Sequence, residues 1–411
     1  MKFLCTIFIS LFFFYSQAQQ IKGVVVSVET GQPIQAASVY ISNSSKGTVT
    51  AQDGSFTLTN LPLGSITLVV NSIGYETFSK NIDVQTNGNY QIKIELKQKI
   101  SELQEVKVFA WEKDGYKKWG EFFTENFIGK MDEASSCKIK NPEVLRFKHD
   151  KKNNVLIAKA TETLIIENKA LGYNINYDLE GFEYNFRNGV LFYYGYQFFS
   201  EMETKRSGKQ QRWDKKRNEV YQGSMMHFMR ALYKNQLEEE GFDAKFIVKT
   251  FNYEKQRVRN LLNTRSILNN GVISINTPES NFKNKDSSDY YNKVLNQPNE
   301  FNYLINKSIK ADSITKYIDA NTVELSFNDY LQVIYKSKIE PEKFLQQNWF
   351  SNRNKTPSQV TSVINLLGTK KINVYEKGQY YNPTEVLSNG WWAWSEKIAY
   401  LLPLDFIPSA K

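Results

Sequence analysis

The stretch GTVTAQDGSFTLTNLPLG, Gly47 to Gly64, decides the fold of the first part of the chain. Two short alternating runs flank Asp53-Gly54, and a second turn follows at Leu61-Pro62-Leu63-Gly64. Alternation with period two puts Phe56 and Leu58 on one face of a strand. A glycine after aspartate supplies the positive φ that a tight hairpin turn needs. Working outward, IKGVVVSV (21–28) is β-branched, ETGQP (29–33) is a turn, and IQAASVYISN (34–43) alternates so that Val39 and Ile41 share a face. SITLVVNSIGYE (65–76) and YQIKIEL (90–96) supply later strands. Short runs bounded by Gly, Pro, Asn and Asp predict an all-β sandwich of about seven strands over residues 19–97.

At 411 residues the chain is long enough for more than one domain. Lys2 precedes an apolar run from Phe3 to Tyr15 and a small-residue site at Ser16-Gln17-Ala18, the layout of a secretory signal over residues 1–18. A bilayer span needs about 20 apolar residues, and this run is shorter. Cys5 lies inside it, too early to carry a lipid, so the exported chain keeps Cys137 alone and has no intramolecular disulfide. Cys137 reads as a buried small apolar residue, with an intermolecular bridge as the alternative.

The formal charge is +9, unevenly spread. KRSGKQQRWDKKR gathers Lys205, Arg206, Lys209, Arg212, Lys215, Lys216 and Arg217 into one polar stretch. Export argues against nucleic acid and points to anionic lipid head groups or an acidic polymer. A solvated hairpin tip or loop is the plainer reading of the same residues.

The segment GVVVSVETGQPIQAASVYISNSSKGTVTAQDGSFTLTNLPLGSITLVVNSIGYET resembles the carboxypeptidase regulatory-like domain, a transthyretin-like β-sandwich, at Gly23, Gly31, Pro33, Gly47, Asp53, Gly54, Phe56, Pro62, Gly64, Gly74 and Tyr75 among other positions. Ser27 departs from the pattern, where an acidic residue is commoner. The resemblance implies an accessory module without catalytic residues. In that family it follows the catalytic domain of some metallocarboxypeptidases and precedes the plug and barrel of starch-utilisation-type, TonB-dependent outer-membrane receptors. LQEVKVFA (103–110) is similar to the short leader of those receptors. Their 22-stranded barrel, at about 9–11 residues per spanning strand with its turns, long loops and plug added, is too long for the remainder of this chain.

After a connection at 98–114, residues 115–411 read as a larger α+β domain with an antiparallel sheet. DGYKKWGEFFTENFIG spaces Tyr116, Trp119, Phe122, Phe123 and Phe127 by threes and fours, the stripe of an amphipathic helix. SMMHFMRALYKNQLEEEGF predicts a second helix, capped by Ser224 and ended by Gly241. YNINYDLEGFEYNF and RNGVLFYYGYQFF alternate about Asn188-Gly189, and hairpins are expected again at Asn270-Gly271 and Lys377-Gly378. The polar stretch Thr277 to Asn302 predicts a long loop or lid, and the aromatic end a short helix closed by Pro403. Through TENFIG, CKIKNP, GSMMHFMR and LLPLDF this region resembles a set of envelope proteins carrying the same first module. That resemblance implies an architecture and no activity.

Catalytic constellations are sparse. A catalytic zinc site takes three protein ligands, and the two histidines read HDKK at His149 and HFMR at His227. His227 is expected to be a packed or boundary histidine. There is no G-x-S-x-G elbow and no phosphate-binding glycine loop, and SSCKIKNP does not suggest an activated thiol. Asp178, Glu180 and Glu183 could form a glycosidase pair, although any solvated strand looks the same. Tyr193, Tyr194 and Tyr196, with Trp391, Trp392 and Trp394, could stack on sugars or sit at a membrane interface; core packing is the alternative. The expectation is an exported, non-catalytic cell-envelope protein of a Gram-negative bacterium, in the periplasm or on the periplasmic face of the outer membrane. The sandwich docks, and the second domain binds a partner protein or an anionic or glycan envelope component, with no cofactor or metal. The runners-up are a small outer-membrane barrel or receptor-complex component, and a peptidase or glycosidase.

Overall fold

The computed structural model describes residues 19–86, 88–99, 111–267, 285–347, 356–381 and 383–409. The expected signal segment, most of the connection at 98–114, the Asn270-Gly271 turn and the start of the polar stretch lie outside these residues. Seven strands come first: β1 (Gln20–Ser27), β2 (Ser38–Ile41), β3 (Gly47–Val49), β4 (Ser55–Thr59), β5 (Gly64–Asn71), β6 (Phe78–Val84) and β7 (Asn89–Leu96). They form two sheets, β4-β1-β7 and β3-β2-β5-β6, with β1 and β7 parallel. Ile21, Val25, Val39, Ile41, Phe56, Leu58, Leu68 and Ile94 fill the space between. The shared faces expected of Val39 with Ile41, and of Phe56 with Leu58, are the buried ones.

The Asp53-Gly54 turn is not the simple hairpin expected. β3 pairs with β2 and β4 with β1, so the strands on either side lie in different sheets. Thr50 redirects the chain: its hydroxyl donates to the Ile34 carbonyl at 2.6 Å and accepts from the Ala37 amide at 2.9 Å. Only then does the turn close, with the Ala51 amide on the Ser55 carbonyl at 2.9 Å and the Ser55 amide on Asp53 Oδ1 at 2.9 Å. Gly54 takes φ 74°, and a Cβ there would lie 2.5 Å from the Val25 carbonyl oxygen.

The second body holds α1 (Gly115–Phe127), β8 (Cys137–Ile139), β9 (Leu145–Asp150), β10 (Val155–Ala160), β11 (Leu164–Asn168), β12 (Tyr173–Asn185), β13 (Val190–Glu201), α2 (Ser207–Tyr221) and α3 (Met225–Tyr233). Then come β14 (Phe242–Phe251), α4 (Tyr253–Ile267), α5 (Lys285–Leu295), β15 (Glu300–Leu304), β16 (Thr315–Asp319), β17 (Thr322–Ser326), β18 (Tyr330–Ile339) and α6 (Glu342–Gln346). It ends with β19 (Gln359–Leu366), β20 (Lys371–Val374), β21 (Tyr380–Tyr381), β22 (Val386–Gly390) and α7 (Trp391–Ser395). Its sheets run β8-β11-β12-β10-β9 with β13 on β12, β15-β14-β18-β19-β22, and β16-β17-β20-β21. Every strand pair within them is antiparallel.

Helix α1 buries Phe123 and Phe127, whose rings meet Phe182 at 4.8 Å and Tyr177 at 5.0 Å respectively. Tyr116 leaves the expected stripe and is 43% exposed. Ser224 caps α3 by accepting from the His227 amide. That helix stops at Tyr233, short of Gly241, because Asn235 adopts φ 55°. Between Thr277 and Asn302 the described part is no loop: α5 and most of β15 occupy it. Among the described residues no helix is long and apolar enough to cross a membrane.

The two bodies meet in a hydrogen-bonded seam. The Tyr40 hydroxyl on β2 donates to Asp178 Oδ2 on β12 at 2.7 Å, and Thr163 Oγ1 donates to the other oxygen. Asn43 N reaches the Gln197 carbonyl at 2.8 Å and Phe199 N the Ser44 carbonyl at 3.0 Å, a parallel bridge that caps part of β13. The C-terminal segment closes the join, with Leu404 N on the Asn43 carbonyl at 2.7 Å and Ser45 N on Asp405 Oδ1 at 2.9 Å. Both ends of the opening stretch serve this approach. A Cβ on Gly47 would lie 2.7 Å from the Phe198 ring, and one on Gly64, at φ 89°, 2.4 Å from the Tyr375 ring. Gly64→Ala is therefore expected to cost about 1–3 kcal/mol through the left-handed backbone alone, with the clash added, read as a lowered urea midpoint.

Candidate functional site

The basic stretch forms helix α2, which corrects the expected hairpin tip or loop. Trp213, Arg217, Val220 and Tyr221 are its buried residues, spaced as one helical face. Arg217 is 4% exposed. Its Nε donates to the Leu171 carbonyl at 2.8 Å, its guanidinium stacks 4.0 Å from the Tyr173 ring centroid, and Nη1 meets Glu201 at 3.2 Å. Lys216 bonds Glu133 at 2.9 Å and Glu219 at 2.6 Å. Burial alone would lower its pKa, but these two carboxylates outweigh it and hold the ammonium above its ordinary range. Lys209 lies 4.6 Å over the Trp213 ring. Lys205, Arg206, Arg212 and Lys215 remain exposed. The seven cations thus divide into structural and solvent-facing sets.

The C-terminal tryptophans are core residues, which corrects their place among candidate binding groups. Trp391, Trp392 and Trp394 are 4%, 1% and 7% exposed. Trp392 Nε1 donates to the Gly223 carbonyl at 2.8 Å, and Trp391 and Trp394 pack on Phe344. Tyr193 is partly buried against the same core, its ring 5.3 Å from Phe127. Tyr194 is 49% exposed, and Tyr196 turns toward the sandwich, its hydroxyl 2.8 Å from Ser79 Oγ.

Both histidines are engaged in local hydrogen bonds. His227 is 3% exposed; its Nδ1 accepts from Gly223 N at 3.2 Å and its Nε2 lies 3.1 Å from Glu240. His149 Nε2 lies 3.0 Å from Asn154 Oδ1. Among the described residues no group of three or more His, Cys, Asp or Glu is placed to hold a metal. Asp178 belongs to the seam, and Glu180 is raised by burial and then by Asp178, whereas Glu183 is exposed beyond the bulge at Leu179–Gly181.

What the fold does assemble is a cleft of about 320 Å³ along the seam. The sandwich contributes Ser42, Asn43, Ser65, Thr67, Ser79 and Asn81, and the second body Tyr196, Tyr375, Gln379, Tyr380, Tyr381 and Thr384. Asn81 organises one wall, accepting from Thr67 Oγ1 at 2.8 Å and donating to Tyr381 OH at 2.9 Å. The Lys377-Gly378 hairpin, with Gly378 at φ 80°, carries Gln379, Tyr380 and Tyr381 into place. Gln379 Oε1 is buried without a hydrogen-bond partner. Sequence reasoning found this hairpin and Tyr196 but not the cleft, since its walls lie some three hundred positions apart. A wider depression of about 630 Å³, lined by Lys22, Phe56, Gln91 and Lys93 among others, lies over the three-stranded sheet.

Three groups held from water give measurable consequences. Burial pushes the Cys137 thiol up to about 12 at 3% exposure. The folded protein is thus expected to resist alkylation at pH 8 and to react fully in urea, as followed by mass spectrometry. Burial likewise lowers Lys338 and Lys397 to about 8 from 10.5. Between those values the unfolded chain binds more protons than the folded one, so this contribution to stability rises with pH. The urea midpoint of the native chain is expected to climb more between pH 8 and 10 than that of Lys397→Met.

No match is found among curated proteins. A type II cohesin–X-dockerin complex of Acetivibrio cellulolyticus is 21% identical with a TM-score of 0.17, over 19% of this chain and 56% of that one. DUF3823 family proteins of Bacteroides ovatus and Parabacteroides merdae are 13% and 11% identical, each with a TM-score of 0.17, over 46% and 47% of this chain and 82% and 83% of theirs. The chain thus spans 56% of the first of these structures. Residues 21–108 match the CarboxypepD_reg-like domain family, and the first body is a domain of that kind.

Proposed function

We propose that the chain is an exported, non-catalytic accessory protein of the Gram-negative cell envelope in which sandwich and second body act as one binding unit. The observation that carries this reading is the seam itself. A module that merely tethered the chain would need few contacts with the second body, whereas here the sandwich supplies half the wall of a cleft and a buried hydrogen bond to Asp178. The regulatory-like domain adds support as a module that accompanies others. Of the carboxylates considered for hydrolysis, Asp178 is held by Tyr40 and Thr163 and Glu183 is exposed beyond the bulge at Leu179–Gly181, which favours binding over turnover.

A second reading is favoured by the four exposed cations Lys205, Arg206, Arg212 and Lys215 at and along α2. They give the second body a positive face suited to an anionic envelope surface. An outer-membrane barrel is less favoured, because each of the five sheets described is open and ends in edge strands, and a barrel has none.

Fractionation of cells into periplasm, inner membrane and outer membrane tests both points. The protein is expected in the periplasm or in an envelope pellet from which high salt releases it, with Lys205→Glu/Arg206→Glu/Arg212→Glu needing less salt. Recovery in the cytoplasm, or retention in the outer membrane until detergent is added, would contradict the reading. So would hydrolysis of a peptide or glycan that vanished on Glu180→Gln.

A further inference from the structure

The seam cleft has a chemistry narrower than "an envelope component", and the ligand class inferred from it rests on the proposed binding role. None of the described residues lining it is Asp, Glu, Lys, Arg or His. In a chain of 52 basic and 43 acidic residues, a cleft wall built wholly from hydroxyls, amides, phenols and aliphatic groups selects against charge. An ion entering it would meet no opposite charge among these lining side chains to offset the hydration it gives up. Burial raises the phenols of Tyr375 and Tyr380 above their ordinary range, so both stay neutral donors at physiological pH.

We infer that the cleft binds a neutral saccharide, one or two residues of an uncharged glycan, between the hairpin that carries Gln379, Tyr380 and Tyr381 and the edge of the sandwich. Three observations converge on this class. The volume of about 320 Å³ lies at the small end of the roughly 300–1,000 Å³ typical of ligand sites. Tyr381, 42% exposed, and Tyr196 offer rings with a polar tip at the mouth, suited to the C–H face of a pyranose. Gln379 Oε1 is a buried acceptor lacking a donor, and buried polar atoms are normally paired. A sugar hydroxyl is a neutral donor that also accepts from the amides of Asn43 and Asn81. Both bodies contribute, so the site exists only while the seam is closed.

The test is calorimetric titration of the full exported chain, residues 19–411, with neutral oligosaccharides of glucose, xylose, mannose and N-acetylglucosamine. Oligogalacturonate serves as the anionic comparison and a neutral tripeptide as the non-sugar one. Saturable binding of at least one neutral oligosaccharide is expected, unchanged by added salt. It should weaken about tenfold or more in Tyr381→Ala and in Gln379→Leu, as removal of a ligand contact worth one or two hydrogen bonds does. Melting temperatures of both variants separate loss of the site from loss of the fold. Binding of oligogalacturonate or tripeptide alone, neutral-sugar binding indifferent to both folded variants, or no binding across the panel would each overturn the inference. A protein that fractionates with the envelope yet binds no neutral sugar defeats this inference and leaves the binding reading standing. Slow cleavage of a bound sugar would defeat the non-catalytic reading and keep the ligand class.

Discussion

The hydrogen bond from Tyr40 to Asp178, 2.7 Å long and buried from both sides, is the constraint around which the two bodies are arranged. A carboxylate withdrawn from water costs several kcal/mol unless its oxygens are satisfied. Here a phenol from the sandwich and the Thr163 hydroxyl from the second body satisfy one oxygen each. Separating the bodies would strip one of those donors. The phenol responds in kind: burial, and then Asp178, pushes the Tyr40 pKa well above its ordinary value. The parallel bridge at Ser44 and the bonds from the Leu404 segment extend the join along β13, and the cleft opens beside it.

This arrangement changes what an accessory sandwich does. Its turn-forming glycines have two physical roles, one conformational and one steric. Gly54 and Gly64 take positive φ, where glycine alone is at ease. Gly47 and Gly64 also let aromatic rings of the second body approach the backbone directly. The module thereby fits a partner within its own chain, and the neutral wall of the cleft follows from the uncharged polar residues Ser65, Thr67, Ser79 and Asn81 that β5 and β6 turn into it.

Much of the fold was legible in the sequence, and the reasons differ by element. The sandwich was readable because its strands alternate or are β-branched and its turns carry their own chemistry. Helices α1 and α3 were readable from apolar spacing. Helix α2 was not, because its buried face includes Arg217, whose charge disguised a stripe at Trp213, Arg217, Val220 and Tyr221. The terminal tryptophans could not be assigned a face from a five-residue helix. The cleft was illegible for a further reason: its acceptor, its stacking rings and its amides come from remote segments that only the seam brings together.

Native-state hydrogen exchange at the seam amides of Asn43, Phe199 and Leu404 tests the central claim most directly. If the two bodies are one cooperative unit, these amides exchange with the free energy of global unfolding, in step with the cores of both bodies. Exchange several kcal/mol faster than either core would mean that the sandwich undocks on its own, and the account of a shared binding unit would fail.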